Sequence, residues 1–197
     1  MSKAIFIDRD GVINPLVINP ATGEYESPRR IEDFALYPFV EKSLFILRNA
    51  GYIIVLVSNQ PDYAKGKSRM EPLLAIAGSL NSWSDEHGGL IDKHCYCYHH
   101  PDGVVPDYSY DCECRKPGTL FLEQSKEQFN LSPALCWFIG DRSCDMECGR
   151  RFGCRTLKIN NIQSIKNNDA IHADYIADNL MEGARMIAQS LRGRMLL

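Results

Sequence analysis

Three apolar runs in this chain each close on polar groups: AIFID at residues 4–8, YIIVLVSN at 52–59 and ALCWFIGD at 134–141. A strand with one wet face alternates apolar and polar side chains, whereas an unbroken apolar run needs burial on both faces. Strands buried twice over belong to parallel sheets sandwiched between helices, and helical periods do lie between these runs. Residues 39–50 put Val40, Leu44 and Leu47 on one face before Gly51. Residues 70–83 repeat the period through Leu73, Ala77 and Leu80, and residues 179–191 do so through Leu180, Ala184, Ile187 and Leu191. LIDKHCYCYHH, RTLKI and DYIA read as further strands, and a helix is expected from Pro117, as a first-turn residue, to about 130. Residues 12–37 show no period and read as one long loop. The expected fold is α/β: a Rossmann-like doubly wound, mostly parallel sheet with helices on both faces, as a single domain over residues 1–197.

Such sheets bind ligands beyond the carboxyl ends of their strands. That rule places Asp8, Ser58 and Asp141 along one edge, with Asp10 and Asp145 beside them. Carboxylates so close repel one another unless a cation intervenes, and hard oxygen ligands with open positions suit Mg²⁺ and phosphate-bearing substrates. Asp145 fits as support for Lys116 or for a metal-bound water, or as a cap for the helix after Asp141. Arg9, between two acids, reads as a surface or scaffold residue.

A net charge of −3 gives no general attraction to nucleic acid or to acidic membranes. No run reaches the ~18 apolar residues of a membrane span, and the short apolar start is no signal peptide. A cytoplasmic protein is therefore expected, and a monomer. In that reducing setting the eight cysteines should be thiols or metal ligands. Cys97, His99, Cys112 and Cys114 form a C-x-H-x12-C-x-C set, complete for tetrahedral Zn²⁺ with no position left for water. Such a site is structural, a staple closing loop 97–114 beside Arg115 and Lys116. Spacing alone leaves Cys95, His94 and His100 open as rival ligands.

DRDGVIN, SNQ, RKP and GDRSCD, in this order, resemble the four motifs of the haloacid dehalogenase superfamily of phosphatases. The resemblance implies a phosphatase working through an aspartyl-phosphate. Asp8 would be the nucleophile, Asp10 the general acid and base, and Ser58 the phosphoryl-binding hydroxyl. Lys116 would neutralise charge, and Asp8, Asp141 and the backbone carbonyl of Asp10 would hold Mg²⁺. A zinc loop opening C-x-H-H-P resembles Cys97 to Pro101, which sets Cys95 aside. That loop, with no sizeable cap, resembles the group holding heptose bisphosphate and histidinol-phosphate phosphatases, and the twelve residues between its ligand pairs favour the heptose side. A small phosphorylated sugar is the implied substrate, losing its 7-phosphate, with Asn59, Gln60 and Arg115 as contacts. The group's usual Ser-Gly and Arg-Gly after SNQ are here Pro61 to Gly66, with Asp62 and Lys65 among them. Histidinol phosphate or another small phosphoester is thus the alternative substrate, and a non-catalytic zinc-stapled scaffold the alternative of another class.

Overall fold

The computed structural model of the protein describes residues 1–164 and 172–194. β1 (Ala4–Ile7) is buried along its whole length. Between it and α1 (Val40–Asn49) lie a two-stranded antiparallel ribbon, β2 (Val17–Ile18) with β3 (Tyr25–Glu26), and one 3-10 turn at Ile31–Asp33. The expected loop thus contains a ribbon. Two-residue strands are too short to show alternation, which is why sequence periodicity passes over them. No cap domain is inserted between β1 and α1.

The chain continues through β4 (Ile53–Asn59), α2 (Met70–Glu86) and β5 (Lys93–Cys97). After the cysteine-rich loop come α3 (Leu120–Phe129), β6 (Trp137–Gly140), α4 (Ser143–Phe152) and β7 (Arg155–Ile159). β8 (Tyr175–Ala177) and α5 (Leu180–Arg194) finish it. α3 starts three residues later than expected. Pro117 sits ahead of the helix in a turn where the Gly118 amide donates to the Arg115 carbonyl. Leu191 lies in α5, but its side chain is outside the described set.

Six strands form one parallel sheet in the order β5-β4-β1-β6-β7-β8. Strand side chains alternate between faces, so each buried strand feeds two cores. Ile5, Ile7, Ile54, Leu56 and Ile139 pack against Val40, Leu44 and Leu47 of α1 and against Leu180, Ala184 and Ile187 of α5. Phe6, Val55, Val57 and Phe138 pack the other way, against Leu122 of α3 and Cys148 and Phe152 of α4. The doubly wound expectation holds. Strand order runs outward in both directions from β1, so the carboxyl ends of β1, β4 and β6 meet at the switch point, where such sheets open a crevice.

Candidate active site and cysteine–histidine loop

Asp8 follows the last residue of β1, and its amide still donates to the Ile139 carbonyl at 2.9 Å. Gly11 turns the chain away with φ +85°, and a methyl group there would lie 2.0 Å from Oδ2 of Asp141. Only glycine lets the two loops come this near. Gly140 serves the other side: a side-chain carbon on it would fall 2.3 Å from Cβ of Asp145. Two glycines thus set the spacing of three carboxylates. Oxygens of Asp8, Asp141 and Asp145 lie within 4.8 Å of one another, all buried.

Lys116 is the cation that answers them. Its Nζ lies 2.7 Å from Asp8 Oδ1 and 2.7 Å from Asp145 Oδ1, and donates to the Val57 carbonyl at 2.8 Å. Burial opposes its charge, but Asp145 and then Asp8 outweigh burial and hold Lys116 firmly protonated. Asp145 both supports Lys116 and caps a helix, since its Oδ2 also accepts from the Arg142 amide at the start of α4.

Arg142 also acts on Asp141, yet it and Lys116 do not bring Asp141 and Asp8 back to their ordinary range. Burial, then repulsion from Asp8 and Asp145, pushes Asp141 above the usual carboxylate range, and burial likewise raises Asp8. Ser164 donates to Oδ2 of Asp141, while Oδ1 is buried with no hydrogen-bond partner. A buried carboxylate oxygen left alone among like charges is the position a divalent cation would fill, so the residues fit Mg²⁺.

Asp10 is absent from this acidic group. Arg9 reaches its carboxylate with Nε at 3.2 Å and Nη2 at 3.0 Å, Asn14 Nδ2 donates at 3.0 Å, and Gln60 Nε2 donates at 2.6 Å. Burial raises the Asp10 pKa, but Arg9 and then Asn14 bring it below the ordinary value. Arg9 is no surface residue: it is 1% exposed, with its guanidinium 5.7 Å from the ring centre of Phe34. A charged residue between two acids looks solvated in sequence, and only the fold shows its partner is Asp10.

Asp8, Asp10, Asn59, Arg115, Lys116 and Arg142 line a cleft of about 110 Å³, with Pro61 and Cys144 at its wall. Ser58, at the end of β4, is 1% exposed and accepts from Gln60 at 2.9 Å. The expected contacts divide. Arg115 lines the cleft, its Nη1 donating to the His99 carbonyl at 3.3 Å. Asn59 borders it with its amide turned to the Lys116 backbone, Nδ2 to the carbonyl and Oδ1 from the amide, both at 3.0 Å. Gln60, 2% exposed, does not line it. Ser164 and Asn161, whose Nδ2 donates to the Gly11 carbonyl at 3.1 Å, carry no sequence signal.

Cys97, His99, Cys112 and Cys114 converge as expected. Cys97 and Cys112 sulfurs are 3.5 Å apart, Cys112 and Cys114 3.2 Å, and His99 Nδ1 is 3.7 Å and 3.4 Å from the sulfurs of Cys97 and Cys114. Tetrahedral Zn²⁺ with Zn–S of about 2.3 Å requires edges of roughly 3.5–3.8 Å, which these approach. They exceed a disulfide bond by more than an ångström. His99 Nε2 meets the Tyr110 hydroxyl at 2.9 Å, the outer partner that ligating imidazoles take. Of the rivals, Cys95 is buried in the core and His100 Nδ1 accepts from the Asp102 amide, while His94, on β5 with a buried and unpartnered Nδ1, stands outside the cluster.

A family description for HAD-like hydrolases matches residues 113–183. The D-glycero-D-manno-heptose-1,7-bisphosphate 7-phosphatase of Chlorobaculum tepidum is 32% identical over 189 residues, 92% of each chain. The chain belongs to the haloacid dehalogenase superfamily of phosphatases. A D-glycero-beta-D-manno-heptose-1,7-bisphosphate 7-phosphatase from Yersinia pestis is 34% identical over 73% of this chain and 72% of its own. Among solved structures, a D,D-heptose 1,7-bisphosphate phosphatase from B. bronchiseptica, complexed with magnesium and phosphate, superposes with a TM-score of 0.75. It is 22% identical, with 96% of this chain and 99% of that one covered. As a superfamily phosphatase the protein is an enzyme, and the scaffold alternative falls. No described helix is long and apolar enough to cross a membrane.

Proposed function

We propose that this phosphatase removes the 7-phosphate of D-glycero-D-manno-heptose 1,7-bisphosphate, with Asp8 as nucleophile. The observation that carries the mechanism is the Asp8–Lys116–Asp145 arrangement, with the lone Asp141 oxygen beside it. Lys116 cancels the charge that would keep a phosphate ester from a carboxylate, and holds one Asp8 oxygen so that the other faces the cleft. Asp8, Asp141 and the Asp10 carbonyl would hold Mg²⁺, which when bound supplies further positive charge to the phosphoryl oxygens. Attack by Asp8 gives an aspartyl-phosphate, dividing the displacement into two steps. Asp10 is held below the ordinary carboxylate range in the free site. It would take up a proton from solvent or from the monoanionic phosphate ester, give it to the departing sugar oxygen and later take one from the hydrolytic water. The Ser58 hydroxyl binds the phosphoryl group in transfer.

The substrate reading rests on the relatives' activity and on charge at the cleft mouth. Lys65 stands near enough to Arg115 that, after burial, Arg115 is what most lowers its pKa. Two adjacent cations suit a second phosphate on the substrate. Asp62 acts on Lys65 with the opposite sign, but Arg29 Nε donates to its carboxylate at 2.7 Å and offsets that charge. Zn²⁺ on Cys97, His99, Cys112 and Cys114 would hold Arg115 in place through the loop it follows. The test compares kcat/KM with Mg²⁺ for both anomers of the heptose bisphosphate, the heptose 7-phosphate and histidinol phosphate. The bisphosphate should lead by tenfold or more, about the 1.4 kcal/mol or more of one charged contact. A lead for histidinol phosphate overturns the assignment.

A further inference from the structure

Gln60 touches three things and none of them is the cleft. Its Nε2 donates to Asp10 Oδ2 at 2.6 Å and to Ser58 Oγ at 2.9 Å, and its backbone amide donates to the Cys97 carbonyl at 2.7 Å. It is 2% exposed. One buried side chain therefore joins the proton-transferring acid to the phosphoryl-binding hydroxyl. Its own backbone is pinned to the strand that carries the first cysteine of the loop. We propose that Gln60 is a positioning residue that aims the Asp10 carboxyl relative to Ser58, and not a substrate contact. This rests on the reading of Asp10 as general acid.

The geometry explains why a glutamine is needed. Arg9 and Asn14 hold Asp10 from its own end of the chain, within four residues, so they fix the carboxylate to its own loop. Gln60, fifty residues away on the β4 end, fixes it to the neighbouring strand. Loss of that cross-strand bond leaves the acid in place on its loop but free to swing against the leaving oxygen. A misplacement near 1 Å at a reacting group costs on the order of 10²-fold.

The experiment uses aryl phosphates of graded leaving-group acidity, from p-nitrophenyl to phenyl phosphate, and beside them the heptose bisphosphate, assayed with Mg²⁺ on the wild type, Gln60→Met and Asp10→Asn. The ratio kcat/KM reports leaving-group departure and excludes the later hydrolysis of the aspartyl-phosphate. Met keeps the length of Gln without its hydrogen bonds. The expected result is a loss under threefold for p-nitrophenyl phosphate, which needs no proton, and of roughly 10- to 100-fold for phenyl phosphate. Asp10→Asn should steepen the same series further. An equal loss along the whole series makes Gln60 merely structural, and a loss confined to the heptose bisphosphate makes it a substrate contact. Either result overturns the proposal. Asp10→Asn without steepening instead overturns the role of Asp10 itself. Gln60→Asn, an amide too short to reach both partners, gives the same comparison should the Met variant not fold.

Discussion

Among the described residues, ligand-like side chains gather in two places, by opposite means. Asp8, Asp141 and Asp145 come from the ends of two neighbouring strands and the first turn of a helix, held by ladder bonds, two glycines and Lys116. Cys97, His99, Cys112 and Cys114 come from one excursion of chain with a strand only at its start. The first group is fixed by the sheet and strained by its own charge. The second is held by no sheet beyond Cys97, only by loop contacts such as the Val104 and Val105 amides on the Ala64 carbonyl and Tyr108 against Tyr63. A metal at the first would mainly relieve repulsion. At the second it would supply the structure.

Lys116→Met is the harshest way to break this contrast. Removing the partner of a buried pair leaves uncompensated charge and costs about 3–5 kcal/mol. Hydrolysis should fall by at least 10³-fold at saturating Mg²⁺, with the melting temperature lowered too. Survival of activity within tenfold would mean that Asp8 does not depend on this lysine.

Cys112→Ser probes the other region. Loss of one of the four proposed zinc ligands should remove the metal, lowering stability by about 3 kcal/mol, or roughly 6–12 °C for a chain of this size. Limited proteolysis should cut within residues 98–111 first. Rates should drop less than for Lys116→Met, because only Arg115 loses its anchor. A variant that keeps zinc, or melts as the wild type does, contradicts a metal-held loop.

The smallest effect is the most discriminating. In metal-free protein the raised pKa values of Asp8 and Asp141 mean that the folded state binds protons the unfolded chain has already released. Stability from these two groups is therefore lost as pH rises from the ordinary carboxylate range through their raised values. Mg²⁺ should accordingly raise the melting temperature by a few degrees at pH 8 and by little at pH 5. Zinc-loop variants should show the same pH-dependent shift. A magnesium shift larger at pH 5 reverses the account of the acidic site.

How much of this could be read in the chain follows from which interactions are local. Asp8, Ser58 and Asp141 end apolar runs, and the sheet converts that pattern directly into shared position. The four zinc-type ligands are legible because two close pairs flank one loop. Gln60 and Asn59 were legible as residues near the site but not as its supports, since their partners Asp10 and Lys116 lie fifty or more positions away. The same holds for Arg9, whose burial depends on Phe34 and on the loop closing over it. Charge beside charge in a sequence says nothing of whether water reaches it. The β2–β3 ribbon escaped for another reason, being two residues wide on each side.

The 110 Å³ hollow around Asp8 admits a phosphoryl group and little of the molecule that carries it. A larger ester would extend past the cleft wall, which Pro61 and Arg115 help to form. Bond-breaking and the choice of what is broken are thus assigned to separate stretches of chain. Substitutions within residues 62–66, none of which lines that hollow, should therefore alter substrate choice more than the rate of bond-breaking.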